Sequence, residues 1–269
     1  MKFFSIALIT LSLGFATTAL AQTPQEALDS GNIAQAQSLL QAQSNDEATE
    51  IAVAGLCGQA QIAAAQSNYD KALELLDEAE NKLNDDKKEA KSGYRAIVPY
   101  LKAGFFRAKG DYDSALAQIK KARDIQYDVK LAEGWEGFIE YEASLDYNED
   151  NSHARKAAEA AINAFHDAKL HREQGYAEIR LADLEFARGK ERRGFSGYDN
   201  AIKAFRTDGE SQKQIAQTQL LFAEKHIAAE DFRAANSRLE TAQKEIEAAG
   251  SPQDLVDKMN QLKGQIPSE

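Results

Sequence analysis

Histidines, carboxylates and one cysteine are the residues of this 269-residue chain whose types could support chemistry. Two histidines bind a metal ion from one helix when they are four residues apart, but His166 and His171 are five apart, roughly 140° around a helix axis. A site shared by these two across adjacent helices is the less favoured alternative. Carboxylate pairs such as Glu47 with Glu50 lack the aromatic pocket that general acid–base catalysis needs. The pattern predicts no enzyme activity, no metal site and no cofactor.

A second candidate for metal chemistry is the polar stretch Asp146-Tyr147-Asn148-Glu149-Asp150-Asn151. Asp146, Asn148 and Asp150 place oxygen side chains at alternate positions, as the first half of a calcium loop does. Ala157 stands where the bidentate glutamate of such a loop belongs. We therefore favour a polar loop between helices, with weak extracytoplasmic calcium binding as the alternative.

Four cations stand close together in the stretch that we call the basic turn: Arg188, Lys190, Arg192 and Arg193. Such a run is usually a solvated turn whose cations pair with nearby acids, here Glu185 and Glu191. Docking of an anionic partner is the alternative.

The N-terminal stretch has the pattern of a secretory signal peptide. Lys2 precedes an apolar run from Phe3 to Phe15, and Ala19-Leu20-Ala21 supplies small residues for cleavage. We expect cleavage after Ala21, a mature domain of residues 22–269, and a periplasmic or secreted location. Since no other apolar run is long enough to cross a bilayer, no stable membrane insertion is expected after cleavage.

The charge balance bears on partners. The chain has 32 Lys and Arg against 43 Asp and Glu, a net charge of −11, and loss of Lys2 makes it −12. An acidic surface repels phosphate backbones, so protein or peptide partners are favoured over nucleic acid. Cys57 is the chain's one cysteine and cannot form an intramolecular disulfide. A buried core thiol is favoured over a reactive one.

A submotif that returns about every forty residues defines the elements that must position any site. A small or polar residue is followed two residues later by an apolar one, then by a small residue three further on, then by a bulky one. The copies are Gly31-Asn32-Ile33 with Ala36 and Leu40, Ser67-Asn68-Tyr69 with Ala72 and Leu76, Gly110-Asp111-Tyr112 with Ala115 and Ile119, and Glu230-Asp231-Phe232 with Ala235 and Leu239; a worn copy runs from Gly189 to Tyr198. A fixed period of this size is typical of stacked helical hairpins.

The small residues of the submotif set the register of six hairpins: Ala36, Ala72, Ala115, Ala154, Gly194 and Ala235. No run of β-branched residues alternates with polar ones, so the fold is predicted to be all-α. Ser251-Pro252 precedes apolar residues at helical spacing, and this predicts a helix over 252–263 that caps the last hairpin.

The Gly110-Asp111-Tyr112 turn followed by Ala115, Ile119 and Ala122 resembles the second half of a tetratricopeptide repeat, in a degenerate variant with a period near 40 residues. The resemblance covers most of the mature chain and implies an α-solenoid. The superfamily mostly supplies scaffolds that bind peptides or assemble complexes, so the resemblance supports the fold more than a particular function.

The resemblance also implies that the first helix of each hairpin lines a concave groove. Tyrosine and arginine there offer large contact areas with polar ends, which suits binding. The expected partner-binding residues are Tyr100, Arg107, Glu136, Tyr176, Arg180, Asp183 and Gln217. The sequence thus favours an exported scaffold, monomeric or loosely associated, that binds a protein or peptide in this groove. The alternative is a structural subunit of a cell-envelope complex that uses its convex or edge surface.

Overall fold

A computed structural model describes residues 24, 27, 32–45, 49–85, 93–125, 129–146, 151–209 and 211–267. All regular secondary structure in these ranges is helical, as predicted. The helices are α1 Ile33–Ser44, α2 Thr49–Ala65, α3 Tyr69–Asp85, α4 Tyr94–Lys109, α5 Tyr112–Asp124, α6 Val129–Asp146, α7 Asn151–Asp167, α8 His171–Ala187, α9 Glu191–Asp208, α10 Gln212–Ala228, α11 Phe232–Ala248 and α12 Gln253–Lys263. None of the helices described is both long enough and apolar enough to span a bilayer. The predicted signal peptide, residues 1–21, lies outside the described ranges.

The repeated submotif encodes the turn inside each hairpin. Its first residue has a positive φ, a conformation that glycine adopts most readily: 62° at Ser67, 81° at Gly110, 70° at Gly189 and 58° at Glu230. After Ser67, Gly110 and Glu230, the side chain of the next residue caps the second helix. Asp111 accepts a hydrogen bond from the Ser114 backbone N–H at 3.1 Å, and Asp231 accepts one from Ala234 at 3.1 Å.

The small residue of each submotif lies at a helix contact. Ala36, Ala72, Ala115 and Ala235 have no exposed surface, and Ala154 is 1% exposed. At Gly194, an added Cβ would stand 2.5 Å from the Phe186 ring. The predicted register is confirmed in these helices, because only small side chains permit the paired helices to approach this closely.

The described residues divide into two compact units, one up to Asp128 and one from Val129. In the N-terminal unit, α3 packs against α2 and α4, and α5 packs against α4. The core of this unit combines Leu76 and Leu83 of α3 with Val53 and Cys57 of α2. Burial raises the pKa of the Cys57 thiol to about 12, so the residue is a core thiol, as the sequence favours.

In the C-terminal unit, α6 pairs with α7, α8 with α9 and α10 with α11. Large aromatic side chains fill the spaces between hairpins, among them the fully buried Phe165, Tyr198 and Phe205. Gly175 on α8 provides space for one of them, since a Cβ there would lie 2.5 Å from the Phe205 ring. Helix α12 begins at Gln253, one residue later than predicted, and Pro252 is its N-cap. Leu255, Met259 and Leu262 of α12 pack in one apolar cluster with α10 and α11.

Candidate partner-binding face

The candidate face of the C-terminal unit is formed by the first helices of its hairpins, α6, α8 and α10. Tyr176, Arg180 and Asp183 on α8 are four and three residues apart, so they share one side of the helix. We use the term candidate face for these three residues together with Glu136 on α6 and Gln217 on α10.

Two hydrogen bonds show that these first helices lie side by side. The Tyr141 hydroxyl on α6 donates to the backbone carbonyl of Arg180 on α8 at 2.9 Å. The Gln214 side chain on α10 donates from Nε2 to the Tyr176 hydroxyl at 3.3 Å. The structure therefore brings α8 next to both α6 and α10, as a groove lined by first helices requires.

The predicted residues of the candidate face differ in what their side chains do. Arg180 is exposed and forms no ion pair with the described residues, whereas Glu136, Tyr176, Asp183 and Gln217 are half-buried. The Tyr176 ring packs edge-on against Phe205 with centroids 5.4 Å apart. Tyr176 therefore also holds α8 to α9, while the Arg180 side chain is exposed to solvent.

Asp183 has an internal partner as well. It accepts a hydrogen bond from the Tyr198 hydroxyl on α9 at 2.5 Å. Burial, together with this bond to Asp183, raises the pKa of Tyr198, and burial raises the pKa of Tyr141. Both tyrosines are therefore neutral donors at physiological pH. Their hydroxyl contacts connect α8 to α6 and to α9.

Sequence reasoning did not assign Tyr141, Tyr198 and Gln214 to the candidate face. Tyr198 stands at the bulky position of the worn submotif, and that position indicates a core residue without revealing its hydroxyl contact. Tyr141 and Gln214 contact residues 39 and 38 positions away, about one repeat period. A search for polar residues one period apart could have found such pairs.

The two other predicted residues belong to the N-terminal unit. Tyr100 and Arg107 are both on α4, seven residues apart, and both are half-buried. Spacing of seven residues places them on the same side of the helix. They belong to the first helix of the third hairpin.

The candidate metal sites have different outcomes. His166 at the end of α7 and His171 at the start of α8 do approach each other, with ring centroids 6.3 Å apart. Within the described ranges, however, no cluster of three or more His, Cys, Asp or Glu side chains could hold a metal ion. Of the calcium-like loop, Asp146 ends α6, and Asn148 and Asp150 lie outside the described residues.

The basic turn is only partly paired. Arg188 donates to Glu185 with Nη1 and Oε1 3.1 Å apart, as expected. The expected pairing with Glu191 is wrong, because Lys190, Arg192 and Arg193 form no ion pair with any described residue. All three are exposed. They stand at the N-cap and in the first turn of α9.

His226 on α10 lies in an aromatic stack near this turn. Its ring is 4.4 Å from the Phe195 ring and 5.4 Å from the Phe222 ring, nearly parallel to both. Burial, with Arg238 nearby, lowers the pKa of His226, and Asp231 only partly offsets this. The neutral imidazole is thus favoured in the folded protein.

The depressed pKa of His226 predicts a pH dependence of stability. Below the ordinary value of 6.5, the unfolded chain takes up a proton that the folded chain resists. As the pH is lowered through this range, the free energy of unfolding should therefore decrease more steeply for the wild type than for His226→Phe, which retains a stacked ring. Chemical denaturation at a series of pH values measures both slopes. Parallel curves would contradict the inferred shift.

No protein-family model and no curated protein sequence matches the chain. Solved structures do. Aspartyl phosphate phosphatase F from Bacillus subtilis has a TM-score of 0.66 at 14% identity, over 89% of this chain and 63% of that one. A Rap protein complexed with competence and sporulation factor has a TM-score of 0.62 at 12% identity, over 86% and 69% of the two chains.

A third similar structure is a signal-transduction ATPase with numerous domains from Pyrococcus horikoshii, which carries a tetratricopeptide repeat sensor. Its TM-score is 0.60 at 16% identity, over 85% of this chain and 34% of that one. The chain thus spans less than two thirds of the phosphatase and about one third of the ATPase. At such identities the similarity establishes the fold alone. The fold is an all-α solenoid of tetratricopeptide-like hairpins, as the resemblance predicted.

Proposed function

We propose that the chain is a protein-interaction scaffold that binds a protein or peptide segment along the candidate face and does not catalyse a reaction. The observation that carries the proposal is the side-by-side arrangement of α6, α8 and α10, with Arg180 exposed between half-buried polar residues. Binding sites of this kind combine a rigid aromatic or arginine anchor with polar groups around it. Arg180 is the anchor, and Tyr176 and Asp183 fix the helix that presents it.

The similar structures support a binding role by analogy of fold. One of them holds a bound factor, competence and sporulation factor. Another contains a tetratricopeptide repeat region described as a sensor. Stacked hairpins present side chains from several helices to one ligand, which is how solenoids use their surfaces. In the N-terminal unit, Tyr100 and Arg107 of α4 are proposed as partner-binding residues of that unit.

The proposal includes export, with residues 1–21 as a cleavable signal peptide, and a monomer as the working state. Its support is the order of a cation, an apolar run and a small-residue exit in the sequence. The mature protein would then meet its partner in the periplasm or outside the cell.

Site-specific photo-crosslinking tests the candidate face. A benzophenone amino acid replaces Gln217, and cells producing the protein are irradiated before the envelope fraction is analysed. We expect a discrete crosslinked partner whose yield falls at least about fivefold when Arg180→Ala is added, because loss of an anchor costs 1 kcal/mol or more. Lys203→Ala is the matched control, since Lys203 is an exposed cation on α9, a second helix.

Two outcomes would count against this function. Equal yields in the Arg180→Ala and Lys203→Ala backgrounds would remove the candidate face from the binding site. Obligate self-association of the mature protein in light scattering would instead favour the structural subunit of an envelope complex.

A further inference from the structure

We propose that the basic turn, with the aromatic pair Phe186 and Phe195 beside it, is a second docking site, specific for an acidic segment of a partner protein that carries an apolar side chain. This site is separate from the candidate face and does not depend on it. Three features of the C-terminal unit support the proposal: exposed cations without an ion pair among the described residues, their place on α9, and the aromatic surface next to them. The net charge of the whole chain is the fourth.

The first feature is that three cations of the basic turn form no ion pair with the described residues. Lys190, Arg192 and Arg193 are exposed, and none of them pairs with a carboxylate in the described part of the chain. Several cations in the first turns of other helices do find a carboxylate, although the exposed Arg233 of α11 pairs with none among the described residues. The pairs are Lys71 with Glu74 at 3.2 Å, Lys130 with Glu133 at 2.8 Å, Arg172 with Asp208 at 2.9 Å and Lys213 with Asp254 at 3.6 Å.

The position of these cations on α9 is the second feature. The N-terminus of a helix carries a partial positive charge, so two arginines in the first turn are unfavourable there. Glu191 in the same turn offsets this only in part, and Lys190 at the N-cap makes no side-chain capping hydrogen bond. A local arrangement that costs stability without internal compensation is typical of a functional surface. An anionic ligand would interact favourably with both the arginines and the helix terminus.

Aromatic surface adjoins the cations. Arg192 and Phe195 are three residues apart on α9 and are therefore neighbours on the helix surface. The rings of Phe195 and Phe186 meet edge to face with centroids 4.9 Å apart, and both side chains are half-buried. Lys225 of α10 places its Nζ 5.0 Å from the Phe186 ring centroid and adds another cation. A ligand here meets positive charge and apolar surface together.

Charge complementarity selects the partner class. The chain as a whole has a net charge of −11, so a long polyphosphate reaching beyond the basic turn would meet repulsion. A short acidic protein segment would contact only the cations of the basic turn and would not extend over the acidic surface. An apolar side chain within that segment would pack on Phe186 and Phe195. Stacking of a nucleobase is disfavoured here, because the Phe195 ring is already stacked on Phe222 and His226, and Lys225 lies over the Phe186 ring. We therefore assign the site to an acidic peptide segment rather than to nucleic acid.

A peptide titration tests the assignment. The probe is a fluorescein-labelled peptide of about ten residues, aspartate and glutamate around one central phenylalanine, and fluorescence anisotropy at low salt reports binding. We expect the double variant Arg192→Glu with Arg193→Glu to weaken binding at least about tenfold. The matched control is Lys203→Glu with Lys244→Glu, two exposed cations that give the same change in net charge. It should bind within about twofold of the wild type.

Two further peptides sharpen the result. The first has asparagine and glutamine in place of aspartate and glutamate, and it should not bind. The second has alanine in place of phenylalanine, and it should bind several-fold more weakly than the original peptide. Equal losses in the two double variants would show a general charge effect and overturn the site. The assignment would also be overturned if the peptide did not bind at millimolar concentration, or if a single-stranded oligonucleotide of equal charge bound more tightly. Because Arg180→Ala leaves the basic turn intact, it should not alter peptide affinity.

Discussion

Gly55→Ala is expected to lower the free energy of unfolding by about 2 kcal/mol or more, whereas Gly104→Ala is expected to raise it by up to about 1 kcal/mol. A Cβ on Gly55 would stand 2.5 Å from the Ser44 backbone nitrogen and 2.8 Å from the Leu40 carbonyl oxygen. Backbone atoms of α1 cannot move aside as a side chain can, so α1 and α2 must separate. Gly104, also inside a helix, has no atom of the described residues within 4 Å of such a Cβ.

Chemical denaturation of the two variants measures both effects. The pair is informative because the same substitution gains the same helix propensity at both positions. Only the contact made by the added methyl group differs. A Gly55→Ala protein as stable as the wild type would show that α1 does not pack on α2 as closely as described, and a destabilised Gly104→Ala protein would show an unexpected contact at α4.

Lys102→Ala is expected to cost about 2 kcal/mol, because it removes a buried ammonium group from between two carboxylates. The Lys102 side chain is 4% exposed, and its Nζ lies 2.6 Å from Asp77 Oδ1 and 2.5 Å from Glu80 Oε2. Glu80 would keep its pairing with Lys121. Asp77 is largely exposed, and these two facts keep the expected cost below that of a fully buried pair.

The protonation state of Lys102 supports this expectation. Burial alone would lower its pKa, but the hydrogen bonds to Asp77 and Glu80 outweigh burial and raise it above 10.5. A group with a raised folded-state pKa contributes its stabilisation below the unfolded pKa and loses it as pH rises through the folded pKa. The contribution is therefore fully present at neutral pH.

Lys71→Ala is the matched control for Lys102→Ala. Lys71 pairs with Glu74 at 3.2 Å, but the two side chains are 54% and 68% exposed. An exposed pair of this kind contributes little, so a change below about 0.5 kcal/mol is expected. Equal effects of the two substitutions would contradict the role of burial. Urea denaturation at neutral pH measures both.

The sequence by itself determined the hairpins and their register, because the features that encode them are local. Ser67, Gly110 and Glu230 adopt positive φ, the residues after them cap helices, and the small residues that follow permit close contact. The turn residue, the cap and the small residue all lie within about ten residues of one another. They therefore recur together in the sequence of each repeat, even in the worn copy around Gly194.

Only the tertiary structure decided which polar side chains are used internally. Asp183 accepts a hydrogen bond from Tyr198, and Tyr176 bridges to Phe205 and Gln214, so two expected partner-binding residues also hold the fold. The Arg172 pair with Asp208 spans 36 residues, while Arg192 and Arg193 pair with no carboxylate in the described part of the chain. Pairing depends on which side chains from neighbouring hairpins come within about 4 Å, and the periodicity of a single repeat does not specify that distance.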